Sequence, residues 1–210
     1  MIKYETREQW LTAAVDMLRP EFVIKAGVMV PDVRVSVGFP GGAHPVQTIG
    51  QCWKPVATED GVSQIYINPI IGEATRALDV LIHELVHAVW PDAGHGKAFR
   101  DVAVAMGLTG KMTATTAGEE LQDRLTQMVE ELGDYPHSAI KLVEHITPTG
   151  RKKARIEGAP EPKTRMLKVQ CVGCGMSYRT SNLWLTQLQE KYGEGYAGEC
   201  VLCGDTMEVK

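Results

Sequence analysis

The segment His83-Glu84-Leu85-Val86-His87 sets two imidazoles four residues apart with a carboxylate beside the first. On a helix that spacing turns the rings only about 40° from one another, so both can grip one ion, while Glu84 falls about 100° from His83. A carboxylate there reaches a water on the ion without displacing it. Zinc prefers tetrahedral nitrogen and sulfur ligands, and a catalytic site uses three protein ligands and leaves the fourth position to water. His95 is the leading third ligand, because Pro91 ends the helix and Gly94 and Gly96 let the chain turn back. Glu119 or Glu120, further along the chain, is the runner-up. The metzincin pattern is disfavoured: His95 follows His87 by eight residues rather than six, and the glycine of that pattern is absent.

A second set of ligand types lies near the C-terminus. Cys171-Val172-Gly173-Cys174 and Cys200-Val201-Leu202-Cys203 each put two thiols on a tight turn, and two such turns supply four sulfurs for a closed structural zinc site. A redox pair would instead sit at a strand-to-helix turn. The remaining cysteine, Cys52, reads as a small buried residue. His137 and His145 read as satisfied or exposed side chains.

These groups need elements to position them. Arg7 to Leu18 carries Trp10, Leu11, Ala14, Val15 and Leu18 at helical spacing, with Pro20 expected just beyond its end. Val33, Val35 and Val37 alternate with polar residues, as do Ile65 and Ile67, predicting two strands. A helix is predicted from Glu73 to Trp90, another from Lys97 to Met106, and a third from Thr116 to Leu132. On the first of these Leu78, Leu81, Ile82, Leu85 and Val89 gather opposite the histidines. Strands beside helices in this order predict an α+β domain, helices packed on a small sheet. The expected organisation is a first domain over 1–110, a helical extension over 111–146, a basic Pro/Gly-containing linker over 147–164, and a small cysteine-held domain over 165–210. That last segment has too little core to fold without metal. A short helix from Trp184 to Tyr192 fits the gap between its cysteine pairs, with Trp184 expected to pack over the small core.

The chain has 210 residues, 44% hydrophobic and 23% charged, which excludes wholesale disorder, collagen and coiled coil. Its longest apolar stretch, Leu78 to Trp90, is interrupted by Asp79, His83, Glu84 and His87, so no bilayer span is expected. The first residues lack the apolar core of a secretion signal, and the chain is read as soluble and cytoplasmic. Its oligomeric state is left open. The net charge of −4 is uneven: from Pro148 to Lys168 seven basic residues face two acidic ones, a local +5 against −9 elsewhere. A solvated connector explains that stretch most simply, and a phosphate-contacting arm is the functional alternative. Arg151, Lys152, Lys153, Arg155, Arg165 and Lys168 of that stretch, with Arg179 of the cysteine-held segment, are the candidate nucleic-acid contacts.

The run His83-Glu84-Leu85-Val86-His87 followed by Gly94-His95-Gly96-Lys97-Ala98-Phe99-Arg100 resembles the SprT-like zinc metalloproteases, whose mark is HExxH, a short loop and a His-Gly-x-x-Phe box. Many of these proteins carry a C-terminal zinc ribbon, so the resemblance extends to the cysteine pairs. It covers residues 5 to 110 and 165 to 210. The family is related to the Spartan proteases, which act on proteins crosslinked to DNA. The resemblance implies a zincin-like metalloprotease domain followed by a small four-cysteine zinc ribbon. It implies one catalytic zinc on His83, His87 and His95, one structural zinc on Cys171, Cys174, Cys200 and Cys203, and Glu84 as the catalytic residue. The implied partners are a protein substrate and DNA or DNA-bound proteins, with no membrane. Zinc lowers the pKa of a bound water from about 15.7 to about 7, and Glu84 would take its proton during attack on a peptide carbonyl. Tyr66, His44 and Arg100 are candidates for stabilising the oxyanion. The rival expectation is an adaptor, zinc-stabilised and bound to nucleic acid or transcription machinery, with little or no turnover.

Overall fold

The computed structural model describes residues 3–41, 46–146, 152–159 and 166–210. His44, Arg151 and Arg165 lie outside the described residues, as do the side chains of His145 and Lys153. The chain divides into two compact units, Met1–Glu157 and Gly158–Lys210. Both mix helices with small sheets.

In the first unit, helix α1 (Arg7–Glu21) starts at a capping box in which the Thr6 hydroxyl accepts from Gln9 N–H and the Gln9 side chain reaches back to the cap backbone. It buries Trp10, Leu11, Ala14, Val15 and Leu18, the face that the sequence predicts. Pro20, expected beyond the helix, stands inside its last turn. The chain continues into a wider π-helical turn, Phe22–Ala26, which Gly27 ends with a left-handed φ of 67°.

Strand β1 (Val33–Val37) pairs parallel with β3 (Ser63–Ile67), and β2 (Gly50–Trp53) pairs antiparallel with β3 on its other side. The order β1-β3-β2 leaves β2 at an edge. Helix α2 (Ala74–Val89) is capped by the Glu73 carboxylate, which accepts from Thr75 and Arg76 N–H, and it packs on β2 and β3. Helix α3 (Lys97–Ala105) follows, then a hairpin of β4 (Leu108–Lys111) and β5 (Ala114–Ala117), then α4 (Glu119–Leu132) against α2. The residues 111–146, expected as a helical extension, thus include a strand, and α4 lends Leu121, Leu125, Met128 and Leu132 to the same core as α1, α2 and β3.

Strands β6 (Leu142–Ile146) and β7 (Lys152–Ile156) form a further antiparallel hairpin inside the first unit. The segment 147–164, expected as a linker, therefore holds a strand. Of its basic residues, Lys152 is exposed and Arg155 half-buried on a two-stranded ribbon, which needs no apolar alternation of its own.

The second unit is a three-stranded antiparallel sheet in the order β10-β8-β9, from β8 (Met166–Cys171), β9 (Ser177–Ser181) and β10 (Met207–Val209). Helix α5 (Asn182–Tyr192) follows β9, capped by Ser181. Its core is small: Val169, Cys171, Leu185, Ala197, Cys200 and Met207. Leu185 is the buried residue of α5, and Trp184, expected over this core, is 61% exposed because it lies a helical step to one side.

Candidate metal centres

Helix α2 is apolar on the side that meets the sheet and core and carries Arg76, Asp79, Val80, His83, Glu84 and His87 along a cleft of about 410 Å³. The other walls are Gln47 to Cys52, including edge strand β2, and Thr113 to Thr115 around the β4–β5 turn. His83 and His87 are one helical turn apart, with ring centroids 5.1 Å from each other. Beyond the end of α2 at Trp90, Gly94 takes a left-handed φ of 53° and the chain doubles back to deliver His95.

His95 Nε2 lies 3.2 Å from His87 Nε2 and 3.4 Å from His83 Nε2. An ion held tetrahedrally at about 2.0–2.1 Å by imidazole nitrogens spaces those nitrogens roughly 3.3–3.4 Å apart. The three donors thus fit one zinc-sized ion on this geometry. Glu119 and Glu120, the runner-up ligands, are exposed at the start of α4 and are not part of the cluster.

Two contacts hold the imidazoles from behind. Phe99 of α3 is fully buried, with its ring 4.9 Å from that of His83, 4.5 Å from His87 and 5.0 Å from His95. Thr115 Oγ1 of β5 lies 2.8 Å from His83 Nδ1. Burial pushes His83 down to about 4, assisted by the charges of His87, His95 and Arg76. Burial does the same to His87, also about 4, and lowers His95. All three rings are then neutral at pH 7, the form that binds metal without first losing a proton.

Glu84 is only 5% exposed, and burial raises its carboxyl to about 8, opposed by a hydrogen bond from the backbone N–H of Cys52. The edge strand reaches that close because residue 50 is glycine. A Cβ at Gly50 would stand 2.5 Å from Glu84 Oε1 and 2.5 Å from Val80 Cγ1. Cys52, expected as a plain buried residue, borders the same cleft, and burial together with the Glu84 charge lifts its thiol to about 12. Asp79, buried and raised by burial, pairs with Arg76.

The oxyanion candidates fare differently. Tyr66 lies against Gly38, and Arg100 is exposed on α3; neither borders the cleft. Arg76 does, although sequence reasoning does not single it out. Its place seven residues before His83 on one helix face is a usable signal. Gly50 and Thr115 carry none, since each matters through a partner more than thirty residues away.

In the second unit the two Cys-x-x-Cys turns are built alike. Cys171 N–H donates to the carbonyl of Met176 at 2.8 Å, and Cys200 N–H to that of Asp205 at 2.7 Å. Each turn closes on a glycine with left-handed φ directly after its second cysteine, Gly175 at 77° and Gly204 at 79°. Cys171 and Cys203 sulfurs lie 3.4 Å apart, Cys174 and Cys200 sulfurs 3.5 Å, and all four Sγ atoms fall within 4.8 Å of one another. Backbone N–H groups of Leu202 and Cys203 draw the Cys200 thiol down to about 7. Four converging sulfurs are a set that could bind zinc. There is no disulfide among them.

The proposed DNA-contacting residues divide between the units. Lys152 and Arg155 are on β7, where Lys152 pairs with Glu144 at 2.9 Å. Lys168 and Arg179 face one another across β8 and β9. No helix among the described residues is long and apolar enough to cross a membrane.

Fold and sites together define an α+β protein of two units, one with a three-histidine cluster in a cleft and one with a four-cysteine cluster. No protein family and no solved structure matches the chain. Over 99 residues it is 36% identical to the large ribosomal subunit protein bL12 of Heliobacterium modesticaldum, a span of 46% of this chain and 76% of that protein. Over that span the chain belongs with bL12 in sequence, and the name of that relative assigns no role to either cluster.

Proposed function

We propose that this chain is a zinc-dependent endopeptidase of the SprT-like kind, with a zincin-like first unit and a zinc ribbon as its second. The observation that carries the reading is the convergence of three imidazoles beside Glu84 in one cleft, with His95 Nε2 3.2 and 3.4 Å from the other two and all three donors within 4.8 Å of one another. Zinc bound there would act as a Lewis acid and make water nucleophilic at neutral pH. His83, His87 and His95 would hold it. Glu84 lies in the cleft wall beside the histidines, placed to accept a proton at Oε and return it to the leaving amine; burial raises its carboxyl to about 8, and the charge of a bound zinc would draw it back down so that the ionised base is present at neutral pH. Arg76 is the cationic side chain of the cleft and the better candidate for steadying negative charge that develops on the substrate. The free edge of β2 lines the cleft, so an extended peptide can pair with its backbone and bring a carbonyl to the histidines. Such pairing reads backbone rather than sequence, which suits a protease of unfolded segments.

The test is Glu84→Gln. The variant should retain zinc at the histidines and lose cleavage of an unfolded protein such as casein; cleavage at the wild-type rate would refute the assignment. A second reading, DNA binding by the ribbon, draws on one feature. Lys168 and Arg179 oppose each other across β8 and β9, where like charges repel unless an anion sits between them, and Trp184 stands exposed in the same unit. Salt-dependent affinity of the full chain for single-stranded DNA, lost in Lys168→Glu/Arg179→Glu, would support it, and equal affinity would remove it.

A further inference from the structure

Strand β5 meets α2 at two places. The Thr115 hydroxyl reaches His83 Nδ1 at 2.8 Å, and the backbone N–H of Ala117 donates to the Asp79 carboxylate. Alternate residues of a strand advance by roughly 6.6 Å and one helical turn of four residues by about 6 Å, so the two elements keep step over this distance. The strand is fixed by its own hairpin: Thr115 pairs with Gly110, Thr109 Oγ1 donates to the carbonyl of Thr116 at 3.1 Å, and Gly118 N–H to that of Gly107 at 2.9 Å. Thr115 itself is 5% exposed. It is a buried hydroxyl aimed at a ring nitrogen, on a strand that cannot easily slide.

We propose that Thr115 is a positioning residue for the histidine-held metal, a role that rests on the zinc reading given above. His83 Nε2 faces His87 and His95; when an ion takes the Nε2 lone pair the ring proton must sit on Nδ1, and there the Thr115 oxygen accepts it. That one contact satisfies the Nδ1 proton and fixes the ring's rotation about its Cβ–Cγ bond. A ligand ring oriented in this way binds metal more tightly than a free one, and losing such a partner weakens binding by about 10–100-fold. Helix α2 and the loop after it carry the ligands; the β4–β5 hairpin, remote in sequence, aims one of them.

The experiment measures zinc affinity of the full chain by competition with a chromophoric chelator, for wild type, Thr115→Val and Thr115→Ser. Valine keeps the shape and removes the acceptor; serine keeps the acceptor. Thr115→Val should weaken the histidine site at least 10-fold and leave the cysteine site unchanged, which serves as the internal control. Thr115→Ser should stay within about threefold of wild type. In zinc-loaded protein the His83 Nδ1–H proton should exchange slowly with water in wild type and Thr115→Ser and quickly in Thr115→Val, a readout that mere packing would not move. Wild type with two ions and undiminished affinity in Thr115→Val overturns this inference alone, as does a serine variant as weak as the valine one. Wild type holding only the cysteine-bound ion overturns the zinc reading and this role with it.

Discussion

Replacing Gly50 by alanine tests how the edge strand and the proposed base are fitted together. The added methyl carbon would stand 2.5 Å from both Glu84 Oε1 and Val80 Cγ1, and 3.0 Å from Glu84 Cγ. Ordinary contact begins near 3.4 Å, so β2 must lift from α2 by roughly 1 Å or Glu84 must leave its rotamer. Val80 is a stiff β-branched residue, 4% exposed and unable to give way. Overpacking of this kind costs about 1–3 kcal/mol. For a unit of this size that lowers the melting temperature by roughly 2–12 °C.

The catalytic cost should exceed the stability cost. A displacement of about 1 Å at a reacting group lowers rates by about 10²-fold. Lifting β2 also withdraws the Cys52 N–H from Glu84 and shifts the strand edge that would pair with substrate. The histidines lie on α2 and the loop after it and do not depend on β2, so zinc stoichiometry should stay at the wild-type value. The assay is casein cleavage with metal content and thermal melting measured on the same preparations. Gly38→Ala, whose methyl would meet Tyr66 at 3.4 Å, is the tolerant control. A Gly50→Ala protein with wild-type rate and melting temperature would refute the reasoning, because Glu84 would then not owe its position to that strand.

Four further outcomes are expected. Full-length protein should carry two zinc ions, His95→Ala one and Cys171→Ser one, by metal analysis after dialysis; loss of both ions from either variant would break the independence of the sites. Phe99→Ala should destabilise the first unit by about 3–5 kcal/mol and weaken zinc at the histidines, since the ring fills the space behind all three. Burial pushes the Glu21 carboxyl up, but hydrogen bonds from Arg124 at 2.7 Å and Lys25 at 3.0 Å outweigh it and hold it below the ordinary 4.5. Its stabilising effect is therefore complete above pH 4.5 and fades as pH falls further; Glu21→Gln should melt lower than wild type at about pH 6 and converge with it in acid. A strong chelator should abolish the ordered near-ultraviolet signal of Trp184 and the tyrosines of the second unit while the cooperative melt of the first unit persists.

What can be read from sequence follows from the range of the interactions involved. The phase of α2, with Leu78, Leu81, Ile82 and Leu85 opposite His83 and His87, is local and repeats every turn. The return of His95 is local too, written in Pro91, Gly94 and Gly96. Strand β5 is four residues, Ala114–Ala117, too short for alternation to register, and what makes it part of the site is a hydrogen bond to a residue 32 positions away. Likewise Lys152–Ile156 reads as a connector because strand pairing with Leu142–Ile146 leaves no trace in composition. Sequence misplaces Trp184 because its burial depends on how α5 meets a sheet, which helical period alone cannot fix.

The two clusters stand in different relations to the folds that carry them. Among the described residues the first unit buries 27 hydrophobic side chains in one core, and the histidines lie at the margin of that core, on a helix that the sheet and α4 already hold. A metal ion bound there would enter a site already formed by packing, with Glu84 and Thr115 in place before it arrives. The second unit has a core of six buried residues, two of them the cysteines Cys171 and Cys200. Below about 40–60 residues a core of that size does not repay chain entropy without a crosslink. Four thiols closing on one ion would supply that crosslink directly, so binding and folding are one event there. On the proposed reading zinc would serve chemistry in the first unit and cohesion in the second, so three donors would suffice at the histidines and four would be needed at the cysteines.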